Sequence, residues 1–490
     1  LKRLIVADSV RTPAGIAGNA LLIEDGTILE VGEAAQLQSH DLRITRFPDA
    51  VIIPGLRDAH LHPLALASGG MLLSNMTTIR DLQQRLPDAP GVTMGSGLDE
   101  RTLAEGRLPT RDDLDVVDRP VVLFRICGHV AIANTAALVA AGIGPDVLDP
   151  PGGSFDRNSD GTPNGILRET AIAAVTSRLE MPSVTRVQLL SALTRLTRLG
   201  ITSIGAVITS SWSEPIDPII EAADDLPLRV HAILEEPVGI GRLTSQRLRF
   251  AGLKAFADGS LGARTAALTR PYDDDPGNSG ILRLNLSPAK ARFALDRDGL
   301  VAVHAIGDLA VERVLDLFEA LIGEGADPGR LRIEHASILP DISLRRMAKL
   351  GVTACVQPAF VPTDAPWLPS RLGEDRAARA YRFASMVDGG VPLCGGSDAP
   401  VESPDPFLGM AAARDRNGFH TEEALTAQQA FELFTSGGAR SLGEPPPLEP
   451  GSPADFVVVD RDPVLSSPAL VRATNVMSTW VGGSEVGSYS

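Results

Sequence analysis

Two histidines two positions apart, His60 and His62 in Asp58-Ala59-His60-Leu61-His62-Pro63, follow the apolar run Val51-Ile52-Ile53-Pro54-Gly55. Side chains alternate faces along a strand, so this spacing puts both imidazoles on one face at a strand end. Two imidazoles on one face can share a divalent ion. Two polar residues closing a strand would read the same way, so the other histidines decide the matter. The chain has eight in 490 residues. His304 closes Leu300–Val303 and His335 closes Leu331–Glu334, each directly after an apolar β-type run. Half of a scarce residue type is thus expected on one rim, as metal ligands.

Two further residues extend the set. Asp398 follows Val391–Ser397, whose Gly395-Gly396 permits close backbone approach. A carboxylate there can bind metal and also take a proton from metal-bound water, although a turn Asp before Ala399-Pro400 has the same pattern. Lys254 sits in Gly252-Leu253-Lys254-Ala255-Phe256. Apolar flanks in a central strand desolvate its amine and lower its pKa, and a neutral amine can capture carbon dioxide as a carbamate that bridges two metals. Outside this setting the same lysine would read as a snorkelling surface residue.

These residues require strands that end on one rim. Apolar β-type runs alternate with helical patterns through the middle of the chain, the signature of a parallel sheet. Candidate strands lie at about 51–62, 200–206, 228–234, 249–257, 300–305, 331–336, 352–357 and 391–397, with helices between them such as Ala310–Ile322 and Ile342–Leu350. Eight is the number of a (β/α)8 barrel, which carries its chemistry at the C-terminal strand ends. About 137 residues separate the first run from the second. That gap marks 70–180 as an insertion with its own strands at Gly91–Gly97 and Pro120–Ile126.

Both ends of the chain read as short alternating strands: 3–8, 20–24 and 27–32, then Asp455–Asp460 and Asn475–Val481. Asp25-Gly26 and Gly482-Gly483 mark tight turns, and the stretch Glu444–Pro453 is a proline-rich joint. The expected organisation is α/β. A composite β-sandwich is assembled from 1–53 and 445–490, and a metal-dependent barrel spans 54–444 with 70–180 inserted after its first strand.

Composition narrows the partners. Lys plus Arg is 45 against 61 for Asp plus Glu, a formal charge of −16, which argues against nucleic acid and anionic membranes. No apolar run is long enough to span a bilayer, and the opening LKRLIVADSV alternates like a strand and not like a signal peptide. Cys127, Cys355 and Cys394 are scattered, with no metal or disulfide spacing, so a reducing cytoplasm is the default location. Aromatic content of 4% disfavours a stacking surface for sugars or bases. A small-molecule substrate is expected, and self-association as a homo-oligomer stays open.

Taken together, Asp58–Pro63 (DAHLHP), Lys254–Ala266 (KAFADGSLGARTA), His304–Ala310 (HAIGDLA), Glu334–Ser337 (EHAS) and Gly396–Pro400 (GSDAP) resemble the amidohydrolase superfamily. More narrowly, they are similar to the amidohydrolase-3 or YtcJ-like family, which includes N-substituted formamide deformylases. Cys127–Leu138, Gly165–Thr170 and Leu448–Asp460 fit that family's motifs as well, so the resemblance covers nearly the whole chain. It implies a zinc-type centre of one or two ions held by His60, His62, carbamylated Lys254, His304, His335 and Asp398. It also implies hydrolysis of an amide-type, non-peptide C–N bond. The expected course is attack by metal-activated hydroxide, with Asp398 shuttling the proton to the leaving nitrogen.

The same centre is compatible with ester or lactone cleavage, isomerisation or decarboxylation, and the fold with a non-catalytic binding protein. Around it, His129 is expected either to hold substrate or to serve structure. Glu169 contacts metal or substrate, or opens a helix. Arg264, with Asp258, either touches substrate or shapes its loop. Asp308 is expected to cap the following helix, and Glu334 to face away from the neighbouring ligand His335, with pairing to Arg332 as the plain alternative. The loops Val207–Pro215 and Ala359–Pro369 carry no substrate signature.

Overall fold

Eight parallel strands run Leu56–Leu61, Ile201–Ile208, Arg229–Leu234, Leu248–Phe256, Leu300–Ala305, Leu331–His335, Thr353–Val356 and Leu393–Gly395, each paired with the next. The computed structural model describes residues 2–38, 42–86, 91–209 and 215–488. Ser210–Glu214, in the loop after the second strand, lie outside the described residues. Nearly every strand residue is buried, as expected where helices cover the outer face and the inner face is packed. The first and eighth strands meet through backbone bonds from Asp398 N–H to His60 O (2.8 Å) and from His62 N–H to Ala399 O (2.8 Å), which closes a (β/α)8 barrel. The helices Asp308–Gly323 and Asp341–Leu350 pack outside it, their apolar faces on the largest hydrophobic core.

The run 51–62, read from sequence as one barrel strand, is two strands. Val51–Pro54 pairs antiparallel with Phe456–Val459 in a different sheet, and only Leu56–Leu61 belongs to the barrel. The switch falls at Gly55, where a Cβ would meet the Thr202 hydroxyl oxygen at 2.2 Å. An uninterrupted apolar pattern cannot show that its two halves join different sheets.

The chain ends build two facing sheets. One has the order 27–32, 20–24, 2–6, 43–46; the other runs 484–488, 476–481, 456–459, 51–54, 9–12, 15–16. Ile5, Leu21, Ile28, Ile52, Phe456 and Trp480 fill the space between them. Asp25-Gly26 and Gly482-Gly483 both have two successive positive φ angles, the conformation that matches hairpin twist. Residues 71–169 form a further six-stranded sheet covered on both faces. Val121 and Leu123 point into one core and Val122 into the other, the alternation of a doubly covered strand.

The register between the first two barrel strands slips between Asp58 and Leu61, so the first strand carries an extra residue there. Such a bulge re-aims the side chains beside it. Gly205 of the second strand makes room for it, since a Cβ at that position would lie 2.0 Å from the Ala59 carbonyl oxygen.

Candidate metal centre

His60, beside that bulge, points into the barrel mouth. Its Nδ1–H donates to Glu334 Oε2 at 2.6 Å, which turns Nε2 toward the site. His62 lies one residue beyond the strand, just before the helix Pro63–Ala67. The two imidazoles converge on one atom: Asp398 Oδ1 is 3.2 Å from His60 Nε2 and 3.3 Å from His62 Nε2. His60, His62 and Asp398 each offer a ligand atom within 4.8 Å of the others. Asp398 reaches this position from a left-handed backbone, φ 59°, three residues beyond the end of the eighth strand.

The remaining residues assemble around this trio. His335, also with positive φ (73°), has its ring centroid 5.2 Å from His60 and 4.5 Å from His304. Its Nδ1 donates to Gln357 Oε1 at 2.8 Å, while its buried Nε2 has no hydrogen-bond partner among the described residues. His304 donates from Nε2 to the Gly259 carbonyl at 3.0 Å. Lys254 is 1% exposed, with Nζ 3.4 Å from His60 Nε2 and 5.1 Å from the Phe256 ring centre. The rim therefore brings together His60, His62, Lys254, His304, His335 and Asp398.

Electrostatics prepare this set for a cation. Burial pulls His62 down to about 4 and His335 to about 3, and holds His304 well below the usual imidazole range. All three are neutral at pH 7, the form that binds metal. Burial would push Asp398 up, but His60, His62 and His335 outweigh it and hold the carboxyl well below its ordinary value. Burial pulls Lys254 down to about 8. A divalent ion fits: the donors are nitrogen and oxygen, one buried imidazole nitrogen awaits a partner, and three imidazoles are anchored from behind.

Several of these anchors were not evident from sequence. Glu334 pairs with Arg332 Nε at 2.6 Å, as read from sequence, but it also reaches across the barrel to His60. Strand alternation turns it from its neighbour His335, and barrel closure turns it toward the first strand. Arg332 spends its other nitrogens on Ser441 Oγ (2.8 Å) and Ala59 O (3.2 Å), so the buried pair is fully bonded. Gln357 and the Gly259 carbonyl carried no signal in the sequence. Cys355 and Cys394, expected to be scattered, stand opposite each other on the seventh and eighth strands, and Cys355 lies within 4.8 Å of His60 and Glu334 ligand atoms. Residues 39 positions apart reveal such pairing only once strand register is known.

The peripheral residues divide. His129, at the start of a strand of the inserted sheet, lies with its ring tilted against His304 (centroids 4.9 Å) and donates from Nδ1 to Glu169 Oε2 at 3.0 Å. Glu169 also lies 3.4 Å from Arg283 Nη2 and precedes the helix Thr170–Thr176. Arg264 is not brought to the cluster; its partly exposed guanidinium pairs with Asp274 at 2.8 and 3.1 Å. Asp258 is held by three backbone N–H groups, those of Ala267, Ile306 and Gly307. Asp308 is the first residue of its helix, one position after the cap, and accepts from Thr269 N–H at 2.9 Å.

A cavity of ≈ 450 Å³ opens beside His62 between barrel and insertion. Leu64, Leu66, Leu72, Met94, Phe124 and Val401 give it a mainly apolar wall, the usual character of a small-molecule site.

Glu334→Gln is expected to weaken divalent-metal binding about 10- to 100-fold, because a neutral amide orients His60 less firmly and leaves Arg332 without its carboxylate. Metal titration followed by elemental analysis measures this. Unchanged affinity would mean that Glu334 acts only in packing.

The chain matches the amidohydrolase family over residues 49–486. It is 31% identical to the protein named as amidohydrolase YtcJ of Bacillus subtilis (strain 168), across 95% of each chain. It is 26% identical to an N-substituted formamide deformylase of Arthrobacter pascens, across 98% of this chain and 97% of that one. A crystal structure of an uncharacterized metal-dependent hydrolase from Pyrococcus horikoshii OT3 superposes with a TM-score of 0.76 at 29% identity, covering 96% of this chain and 99% of the other. With its barrel, its rim of histidines and a match along nearly its full length, the chain belongs to the amidohydrolase family of metal-dependent hydrolases.

Proposed function

We propose that this hydrolase cleaves an amide-type, non-peptide C–N bond in a small substrate with an apolar portion, Asp398 serving as proton shuttle. The observation that carries the reading is the Asp398 carboxylate, 3.2 Å from the His60 imidazole and 3.3 Å from that of His62, which lines the cavity. His60, His62, His304, His335 and Asp398, with Lys254 as its carbamate, would hold the metal, a zinc-type centre of one or two ions. A metal held there would supply Lewis-acid polarisation of the scissile carbonyl and activation of water as the nucleophile. The chain's own residues do the rest. Asp398, ionised at neutral pH, accepts the water proton at its carboxylate and delivers it to the departing nitrogen. The apolar wall seats the substrate's hydrocarbon part and keeps bulk water from the carbonyl.

Amide and ester pairs sharing one acyl group test this reading. Turnover of the amide, abolished by chelator and restored by added divalent metal, is the expected result. An enzyme that turns over only the ester would sink the C–N assignment.

The Lys254 modification has its own test. With burial pulling the amine to about 8, roughly a tenth is neutral at pH 7. The neutral nitrogen attacks carbon dioxide and sheds one proton, leaving a carbamate anion as a second anionic oxygen donor beside Asp398 and the imidazoles. Lys254→Ala is expected to lose one metal equivalent and most turnover, with partial recovery of both when short carboxylic acids are added. Two metals and normal turnover in that variant, or a bare amine by mass analysis of active protein, would overturn the carbamate.

A further inference from the structure

We infer that the opposite, N-terminal end of the barrel carries a second binding site, for a compact oxyanion of about two negative charges: a phosphate group. A cavity of ≈ 220 Å³ lies there, where Arg229–His231 and Leu248–Arg249 begin their strands and the proline-rich joint crosses beneath them. It is remote from the metal ligands, which sit at the other strand ends.

Its charges do not balance. Four guanidinium groups line it, from Arg57, Arg229, Arg247 and Arg249, against two carboxylates, Glu444 and Asp455. Both carboxylates are fully engaged. Glu444 accepts from Arg57 Nε at 2.9 Å, from His231 Nε2 at 2.6 Å and from the Ser203 hydroxyl. Asp455 accepts from Arg229 at 2.6 and 3.2 Å and from Gly482 N–H at 2.6 Å. Arg57 and Arg229 are thereby neutralised.

Arg247 and Arg249 are not. Arg247 donates to the carbonyls of Leu226 (2.8 Å) and Val481 (3.3 Å). Arg249 donates from Nε to His231 Nδ1 at 2.7 Å, and from Nη2 to the carbonyls of Leu442 and Gly443. Carbonyl and imidazole acceptors orient a guanidinium without cancelling its charge. His231 accepts at Nδ1 and donates at Nε2, so it is the neutral tautomer and adds no charge of its own. Among the described residues, the cavity carries two unmatched positive charges in a protein whose formal charge is −16.

Arg247 is half-buried and Arg249 exposed at the cavity edge. Partial burial pulls both below the usual arginine value and Arg229 adds repulsion at each, while Glu444 beside Arg249 and Asp455 beside Arg247 offset part of the shift. A cross-linking role between barrel and sandwich accounts for Arg57 and Arg229, whose charges are matched. It leaves Arg247 and Arg249, at one cavity, in excess of the two carboxylates there. Guanidinium forks suit phosphate oxygens, and the volume leaves room for a small organic group on the phosphorus.

The test is calorimetric titration of metal-loaded protein with inorganic phosphate and with glycerol 3-phosphate, at fixed ionic strength with chloride as reference. Saturable binding at ~1 mM or tighter is expected. Arg249→Met should weaken it at least about tenfold. Gln246→Glu, on an exposed side chain at the rim, should weaken it about threefold by repulsion and serves even where Arg249→Met fails to fold. Tighter binding of glycerol 3-phosphate marks a phosphomonoester site, and equal or weaker binding marks free phosphate. No binding above chloride overturns the inference, as does phosphate binding unchanged in Gln246→Glu, which would place the anion at the metal centre.

Discussion

Replacing His60 and His62 together by alanine is expected to strip the protein of most bound divalent metal and of its hydrolytic activity, with far-UV circular dichroism near that of the parent. Both imidazoles aim Nε2 at the same carboxylate oxygen, so both belong to whatever ion that oxygen binds. The fold should survive because the group left behind by His60 is not stranded. Glu334 loses one hydrogen bond but keeps Arg332 Nε at 2.6 Å, so no buried charge is left without a partner. The backbone bond that closes the barrel, Asp398 N–H to His60 O, does not involve the imidazole. Elemental analysis decides the matter, and full metal occupancy in the double variant would rule out these histidines as ligands.

Asp398→Asn is expected to lower kcat at least about 10²-fold, since an amide cannot take up the proton that the carboxylate would accept as the proposed shuttle. The carboxylate is also placed to bind metal, so metal content must be measured on the same sample. A fall in turnover with metal retained assigns the loss to proton transfer; a fall with metal lost assigns it to ligation. Normal kcat would mean that another group is the base. The parent carboxyl is held well below its ordinary range by His60, His62 and His335 against the opposing effect of burial, so it is charged and ready to accept throughout the neutral region.

Much of the framework was legible because it is written locally. Parallel strands covered on both faces read as short continuous apolar runs, and seven of the eight barrel runs lie within a few residues of the observed strands. The first run was legible as strand but not as two strands, because burial in a sandwich and burial in a barrel impose the same apolar demand. The i, i+2 spacing of His60 and His62 announced a shared destination. It did not announce the bulge at Ala59 or the glycine across from it, which depend on register between strands about 145 residues apart.

What the sequence determined by itself was the inventory and its order: eight apolar strand segments, and imidazole, carboxylate or amine groups at the ends of several of them. Apolar periodicity and strand-end position are properties of neighbouring residues, and neighbours are what a sequence displays. Tertiary structure decided which partners those groups meet. Glu334 turns inward to His60, Gln357 holds His335, the Gly259 carbonyl holds His304, and Cys355 faces Cys394, while Arg264 turns outward to Asp274. Each of these, Arg264 with its partner ten residues away included, depends on how the barrel closes and its loops fold back, geometry that short-range patterning does not encode.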